Sequence, residues 1–530
     1  MLFTSYEFLG FLFLLFLLYY IIPKRYQWIC LLCASYLFYA FSGIKYLGYI
    51  VSTTCSTYLV CYKMEKIGEE QKNYIRLNKE RLTREEKKSY KIYMKKKQWN
   101  WLLLGLISNF SILAVCKYVN FTISNINNVL QLIKNNSRLP FLSIALPLGI
   151  SYYTFQMMGY AIDIYRGKYP AEKNFGKLAL FASFFPQLMQ GPISRFDDLS
   201  KTMFSEHSFD RKRIFFGLQR ILWGFFKKLV IADRILPAVT TITHNPENYQ
   251  GVYVFVGMLF YALELYADFT GGIDMVIGIG EVLGVQVKEN FNRPYFSKSI
   301  KEYWNRWHIS LGAWFTEYIF YPVSVCQPML KLSKFSRSHF GEAIGKRIPV
   351  YLATILVWLI TGIWHGAAWN FVVWGLMNCL VLLVSQELQP CYRWFHRKFH
   401  LEGKWGFRLF QVVRTVLLMS SIRMFDCYRD VSTTFRMFFS MLTKYNFMEL
   451  LNGGMLKLGI SAIDYGILFV GMIILMGVSF IGRSGSVREK IAKKPIIVQF
   501  LIWYGLFLAV LLFGAYGEGY DASQFIYNQF

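Results

Sequence analysis

One histidine stands alone in the longest uncharged stretch of this chain. Across residues 348–386, His365 is the only side chain that can titrate near neutral pH. An ionisable group at bilayer depth costs about 2.5–3.5 kcal/mol to insert, so such a residue is a candidate for function. Burial keeps an imidazole neutral, and a neutral imidazole can accept the proton of a hydroxyl group. The chemistry indicated is general-base catalysis; from these residues alone, a structural histidine bonded to a helix carbonyl is an equal alternative.

A second group of polar side chains lies in residues 297–322, whose charges make a lipid-spanning helix unfavourable. Asn305 and His308 are three residues apart and would share one helix face. An aromatic face follows helical spacing through Trp307, Leu311, Trp314 and Tyr318. The pattern predicts an amphipathic helix that lies along the membrane or lines a cavity, with a plain interfacial anchor as the alternative.

Four carboxylates occur in the apolar stretch 261–284. Glu264 and Asp268 are one helical turn apart, and Asp274 and Glu281 follow them. The pattern indicates a polar cavity, a proton path or hydrogen bonds between helices, and the intervening glycines permit close helix packing. Cys30-x-x-Cys33 has no second pair at metal-ligand spacing, so no metal is expected, and no serine hydrolase elbow is present.

Membrane helices must position these residues. The 530-residue chain is 55% hydrophobic and only 17% charged, whereas soluble domains carry about a quarter charged residues. Long, continuously apolar runs predict an all-α, polytopic integral membrane protein with about ten to thirteen transmembrane or re-entrant helices. Basic residues flank 348–386 on both sides, which predicts a helical hairpin that turns near Gly366 and carries His365 deep into the membrane.

The net charge of +26 fits basic cytoplasmic loops better than nucleic-acid binding, which is not expected. Residues 63–98 contain 13 Lys/Arg and 6 Asp/Glu, a pattern typical of a basic, helical cytoplasmic loop beside anionic lipid headgroups. Glu7 precedes the first apolar segment and Lys24 follows it, which predicts an extracytoplasmic N-terminus. No hydrophilic interruption is long enough for a separate domain, so residues 1–530 are expected to form one membrane domain, with a catalytic core at 140–390.

The motifs around both histidines resemble those of the membrane-bound O-acyltransferase (MBOAT) superfamily, especially its alginate O-acetyltransferase branch. TGIWHGAAWN at 361–370 is similar to the family motif Trp-His-Gly-x-x-Trp-Asn, whose histidine is catalytic and is here His365. The segment at 290–322 is similar to the one that carries the second family histidine, here His308. Further segments that resemble the family lie at 146–156, 190–196 and 266–278.

The resemblance implies the MBOAT fold around a catalytic tunnel and a membrane-bound acyltransferase. It implies transfer of an acyl group, expected to be acetyl from acetyl-CoA as donor substrate with no bound cofactor, for O-acetylation of an exopolysaccharide or cell-wall glycan. The expected location is the bacterial plasma membrane. A separate extracytoplasmic SGNH-type acetyltransferase and polysaccharide machinery are the expected partners.

In this interpretation, His365 removes the acceptor proton, His308 and Asn305 polarise the acyl carbonyl, and Asn370 orients His365. Other residues expected to line the tunnel are Trp304, Trp364, Glu264 and Asp268. D-alanyl transfer to teichoic acid by a related branch is the first alternative. A transporter or channel, in which the carboxylates at 264–281 carry ions or protons, is the alternative from another class.

Overall fold

The computed structural model describes residues 3–133, 137–401 and 403–516, which form helices joined by turns, with no strand among them. The all-α prediction is therefore confirmed. These residues divide into two compact units, Met1–Ile214 with Gly280–Val287, and Phe215–Ile279 with Lys288–Phe530. Both candidate histidines belong to the second unit.

The first unit contains the N-terminal helices. They are α1 (Tyr6–Ile21), α2 (Gln27–Ala40), α3 (Leu47–Leu77), α4 (Arg84–Leu132), α5 (Ile150–Arg166), α6 (Phe175–Ser183), α7 (Phe185–Gln190) and α8 (Phe196–Met203). The basic segment 63–98 is not a loose loop, because it forms the facing ends of α3 and α4. Thr83 caps α4 through a reciprocal bond with Glu86, and Gln98 Nε2 donates to the Met64 carbonyl at 2.9 Å. The helical character predicted for 63–98 is confirmed.

The helices that follow carry the candidate site. They are α9 (Arg211–Phe225), α10 (Asp233–His244), α11 (Val252–Leu283), α12 (Ile300–Trp304), α13 (Ile309–Phe315), α14 (Tyr321–Ser324), α15 (Gln327–Phe340), α16 (Glu342–His365), α17 (Trp369–Glu387), α18 (Gln389–Lys398), α19 (Trp405–Tyr428), α20 (Val431–Thr443), α21 (Phe447–Leu451), α22 (Ala462–Ile481), α23 (Val487–Ala492) and α24 (Ile496–Phe513). Two π-helical segments interrupt this series, at Phe226–Ala232 and at Thr316–Phe320.

Six helices within the described part of the chain are long and apolar enough to cross a membrane, or seven if the bent pair α2–α3 forms one span. They include α4, α11, α16 and α17. This number is below the ten to thirteen transmembrane or re-entrant helices expected. The apolar segments near 141–164 and 176–193 form the shorter helices α5, α6 and α7, which bury most of their residues against protein.

The hairpin predicted from the flanking charges is confirmed. Helix α16 ends at His365 and α17 begins at Trp369, so the chain turns at residues 366–368. Two glycines hold the helices in contact: a Cβ atom on Gly362 would lie 2.4 Å from the Phe371 carbonyl oxygen, and one on Gly375 would lie 2.4 Å from that of Trp358. Because no side chain fits at either position, the pairing of α16 with α17 fixes the location of His365.

Glycines also let α11 pack closely on α9, as the sequence indicated. A Cβ atom on Gly278 would lie 2.7 Å from the Gly217 carbonyl oxygen, and one on Gly271 would lie 2.9 Å from that of Gly224. The close contact continues into the π-helical segment, whose Lys227 and Lys228 are both buried. π-Helical turns occur frequently at functional sites. Here the π-helical segment lets two consecutive lysines, Lys227 and Lys228, both reach carboxylates of α11.

Candidate active site

His365 is the last residue of α16 and is only 7% exposed. Its ring makes edge-to-face contacts with two indoles, at centroid distances of 4.6 Å to Trp374 and 5.0 Å to Trp364. The carbonyl end of a helix carries partial negative charge, which stabilises a cation formed there. The position therefore suits a residue that gains positive charge when it accepts a proton.

His308 lies between α12 and α13 and is also buried, at 5% exposure. Asn290 Nδ2 is 3.2 Å from His308 Nδ1, to which it donates when that nitrogen carries no proton. The ring packs 5.1 Å from Phe269 and 5.9 Å from Trp364, measured between centroids. Trp364 thus contacts both histidines, so the structure brings together the two residues that the sequence separated by 57 positions.

The continuous amphipathic helix predicted across Asn305 and His308 is wrong. Helix α12 ends at Trp304 and α13 begins at Ile309, and His308 between them has a left-handed backbone with φ 48°. Asn290 stabilises this break, because its carbonyl oxygen accepts from Ile309 N and its Oδ1 accepts from Ser310 N, both at 2.9 Å. The aromatic positions are nonetheless buried as a group: Trp307, Leu311, Trp314 and Tyr318.

The break separates the two polar residues that were expected to share a face. Asn305 is exposed at the end of α12, whereas His308 is buried. The structure therefore does not place Asn305 beside the histidine rings, and its predicted contact with the acyl carbonyl finds no support in this arrangement. The neighbouring Trp304 does point inward, with its ring 4.8 Å from Trp358 and 5.9 Å from Trp374.

Burial determines the charge state of His308. Loss of solvent, reinforced by the positive charge of Arg423, lowers the pKa of His308 to about 3 from the ordinary 6.5. The imidazole is therefore neutral at physiological pH and can act only as a neutral hydrogen-bonding group.

Asn370 is buried near the start of α17, but its observed partner is in a different helix. Its Nδ2 donates to the carbonyl oxygen of Phe425 at 3.1 Å, which ties α17 to α19. The bond makes Asn370 a residue that holds the wall of the site, and orientation of His365 by Asn370 stays a hypothesis.

Arg423 on α19 is a site residue that the sequence interpretation missed. Its guanidinium carbon lies 4.9 Å from the ring centroid of Trp307, 5.0 Å from that of Trp374 and 5.7 Å from that of Trp304. Nη1 donates to Asp426 at 3.0 Å, and the residue is 5% exposed. A signal existed, because Arg423 is a charge within the apolar run VLLMSSIRMF, and the rule that singled out His365 applies to it equally.

The α11 carboxylates form a different group from the histidines. Asp268 accepts from Lys228 Nζ at 2.6 Å, and Lys228 also pairs with Asp233 at 2.8 Å. Asp274 pairs with Lys227 at 2.5 Å and with Arg220 at 2.9 Å. Of the three functions considered for these carboxylates, the pairing favours bonds between helices. Glu264 differs, since it is buried and its Oε2 has no hydrogen-bond partner.

Among the residues that the structure describes, no group of three or more His, Cys, Asp or Glu side chains is arranged to hold a metal ion. The ring contacts link His365 to the His308 imidazole through Trp364, to indole N–H groups, and to the Arg423 guanidinium through Trp374. This set can remove a proton from a hydroxyl and can donate hydrogen bonds to an oxygen.

Comparison with known proteins points to one family. Residues 172–425 match the family model "MBOAT, membrane-bound O-acyltransferase family", a range that includes both histidines and Arg423. The protein named "Probable alginate O-acetylase AlgI" of Azotobacter vinelandii is 35% identical over 393 residues, which cover 73% of this chain and 69% of that protein.

Two other relatives act on different polymers, according to their names. The "Peptidoglycan O-acetyltransferase" of Helicobacter pylori is 31% identical over 393 residues, covering 69% of this chain and 66% of that protein. The "Teichoic acid D-alanyltransferase" of Bacillus subtilis is 30% identical over 269 residues, covering 49% of this chain and 61% of that protein.

Proposed function

Since the chain belongs to the membrane-bound O-acyltransferase family and is a membrane O-acyltransferase, we propose that it takes an acetyl group from cytoplasmic acetyl-CoA for O-acetylation of an exopolysaccharide or cell-wall glycan. We further propose that it lies in the bacterial plasma membrane with its N-terminus outside. Membership in an enzyme family leaves the transporter or channel alternative without support.

The observation that carries the proposal is the meeting of His365 and His308 at Trp364 inside a buried aromatic cluster. Two imidazoles in water-poor surroundings can handle the proton of an acceptor hydroxyl without competing solvent. The names of the relatives support the acetyl group, because the alginate and peptidoglycan O-acetylating proteins match 73% and 69% of this chain.

The proposed reaction follows from these groups. The acceptor oxygen adds to the thioester carbonyl carbon while His365 takes the hydroxyl proton, and the carbon–sulfur bond then breaks. An ester forms, and the proton passes from His365 to the departing thiolate, which leaves as the free thiol of CoA. His308 stays neutral and acts as a hydrogen-bonding group beside the acyl carbonyl.

Donor and acceptor lie on opposite sides of the membrane in this proposal, so a path through the protein must reach His365 from both sides. We propose that a separate extracytoplasmic SGNH-type acetyltransferase, working with polysaccharide machinery, completes the transfer to the polymer. The polymer-modifying relatives support a glycan as the final acceptor.

The test is transfer by the purified full-length chain in proteoliposomes supplied with radiolabelled acetyl-CoA, the SGNH-type acetyltransferase and membranes containing the glycan. His365→Ala is expected to reduce labelled product and CoA release by about 10²–10⁴-fold. The matched control is His244→Ala, since His244 is an exposed histidine at a helix end in the same unit. Expression and membrane insertion should be unchanged in both variants. Near-normal acylation by His365→Ala would reject the base assignment.

D-alanyl transfer to teichoic acid is the second candidate, supported by the similarity to the Bacillus subtilis protein. That match covers 49% of this chain, against 73% for the Azotobacter vinelandii protein, which is why acetyl transfer comes first. Supplying a D-alanyl thioester in place of acetyl-CoA separates the two. Transfer of D-alanine with no transfer of acetyl would replace the leading proposal.

A further inference from the structure

Arg423 is a buried cation whose hydrogen-bonding capacity is only partly used. Its Nη1 donates to Asp426 Oδ2 at 3.0 Å, whereas Nε and Nη2 are buried and have no hydrogen-bond partner. The Tyr303 hydroxyl also interacts with the guanidinium, but neither nitrogen makes a hydrogen bond of normal geometry. Nε and Nη2 lie on the same edge of the guanidinium plane, and this edge matches one oxygen held by both nitrogens or two oxygens held side by side.

Two further buried donors lie near Arg423. The indole nitrogens of Trp304 and Trp374 are buried without hydrogen-bond partners, and both rings lie within 5.7 Å of the guanidinium carbon. Aromatic faces compensate a desolvated cation from above and below, but they leave its in-plane N–H groups unsatisfied. A cluster made of four buried nitrogen donors suits a ligand that presents only acceptor oxygen.

The cluster lies next to the candidate base. Trp374 packs 5.0 Å from the Arg423 guanidinium carbon on one contact and 4.6 Å from the His365 ring on another. The positive charge of Arg423 also acts on His308. Arg423 is therefore separated from His365 by one shared indole, and its charge lowers the pKa of His308.

We propose that the Nε–Nη2 edge of Arg423 binds the carbonyl oxygen of the acyl thioester and stabilises the oxyanion that forms when the acceptor oxygen adds to the carbonyl carbon. Arg423 is then a catalytic residue in addition to His365, and Asp426 is the positioning residue that holds the guanidinium by Nη1. This inference rests on the proposed acyl transfer, because it assigns the oxygen of that thioester. In the step, negative charge moves onto the carbonyl oxygen as the new carbon–oxygen bond forms. When the carbon–sulfur bond breaks, an electron pair of that oxygen re-forms the C=O bond, and the charge passes to the sulfur, which takes the proton from His365.

Removing one preorganised hydrogen-bond donor to an oxyanion typically lowers kcat by about 10²–10³-fold. Arg423→Lys keeps a positive charge but loses the two-nitrogen edge, so kcat for acetyl transfer should fall by about a hundredfold, while KM should rise by only about tenfold from the lost hydrogen bond to the ground-state carbonyl. Arg414→Gln is the matched control, because Arg414 is an exposed arginine on the same helix that bonds to the Lys298 carbonyl. It should transfer acetyl at the wild-type rate.

A double variant distinguishes a catalytic function of Arg423 from a purely structural one. Replacing a buried ion pair by apolar residues is often neutral for stability, whereas removing one partner is not. Arg423→Met combined with Asp426→Leu should therefore keep the thermal unfolding of the wild type and remain inactive. Recovery of transfer in the double variant would overturn the inference, since the arginine would then serve only to neutralise Asp426.

Binding supplies a readout that needs no turnover. Acetonyl-CoA keeps the carbonyl of the donor in a non-transferable ketone, and ethyl-CoA lacks it. The wild type should bind acetonyl-CoA at least about tenfold more tightly than ethyl-CoA, as expected for a hydrogen bond to a charged donor, and the double variant should bind both equally. Equal affinity of the wild type for acetonyl-CoA and ethyl-CoA would contradict the inference. If the wild type transfers no acetyl group at all, the proposed function fails with it; if His365→Ala is inactive while Arg423→Lys is fully active, only the assignment of Arg423 fails.

Discussion

The carboxylate cluster of α11 (Glu264, Asp268 and Asp274) and the histidine cluster (His365, His308 and Arg423) are both largely buried, yet their charges are used differently. Asp268 and Asp274 each contact a lysine at 2.6 Å or less, so these groups satisfy one another. In the histidine cluster, Arg423 retains two nitrogens without a hydrogen-bond partner. A buried charge alone therefore does not indicate a catalytic residue. Buried hydrogen-bond donors that have no acceptor within the protein do indicate a site for a ligand.

Glu264 stands between these two cases. It lies on α11 one turn from Asp268, but its Oε2 is buried without a hydrogen-bond partner. The carboxylate cluster is thus complete at Asp268 and Asp274 and incomplete at Glu264. The comparison applies to individual residues rather than to whole helices.

The largest expected effect separates catalysis from stability. His365→Gln should reduce acyl transfer by about 10²–10⁴-fold while leaving the thermal unfolding temperature in detergent unchanged, because glutamine fits the same buried space without acting as a base. The measurement pairs a transfer assay with a thermal unfolding curve on one preparation. If His365→Gln lowered both the transfer rate and the unfolding temperature, His365 would be a structural residue like the paired carboxylates.

The opposite result is expected in the carboxylate cluster. Lys228→Met leaves Asp233 and Asp268 buried without their shared cation, which should lower the free energy of unfolding by about 3–5 kcal/mol. Lys346→Met is the control, since Lys346 is 64% exposed in its pair with Glu342 and should change stability by less than about 1 kcal/mol. Similar stability in the two variants would contradict a structural function for the buried network.

A third change tests whether helix packing sets the position of the base. Gly362→Ala places a methyl group against the Phe371 carbonyl oxygen and should cost about 1–3 kcal/mol by overpacking, together with loss of transfer because α16 moves away from α17. Gly466→Ala is the control, because a Cβ atom there meets nothing within 4 Å. Full transfer activity in Gly362→Ala would show that the register of the hairpin does not determine the site.

The smallest effect concerns pH. Because the pKa of His308 is about 3 in the folded protein and 6.5 ordinarily, the unfolded chain binds a proton at this residue that the folded chain does not. Stability should therefore fall as the pH decreases below 6.5, by about 2 kcal/mol between pH 7 and pH 5 from this residue. His308→Asn removes the titrating group, and its unfolding temperature should vary less over that range. An unchanged pH dependence would mean that the pKa of His308 is the same in the folded and the unfolded chain.

The sequence predicted the fold class and the hairpin because both follow from local patterns. Continuous apolar runs require helices in a membrane, and basic residues on both sides of 348–386 required a turn between them. Six helices of the described residues pass the length and apolarity test, against ten to thirteen transmembrane or re-entrant helices expected, because apolar segments such as α5, α6 and α7 form shorter helices packed mostly against protein.

The site was predicted in part. Motif resemblance identified His365 and His308, which the structure brings together at Trp364. Helical spacing failed at Asn305, because Asn290, fifteen positions earlier in the chain, binds the backbone of Ile309 and Ser310 and breaks the helix there. Arg423 was missed because its partners lie on α12, on α17 and in the turn before α13, and no local pattern links these elements.

The left-handed backbone of His308 bears on how this position would respond to random substitution. Asparagine and glycine adopt such a conformation readily, whereas β-branched residues pay a steric penalty. A library randomised at codon 308 would therefore be sorted first by backbone conformation and only then by side-chain chemistry. Loss of activity in a valine variant would show that the left-handed turn is required. Loss of activity in an asparagine variant would show that the imidazole is required.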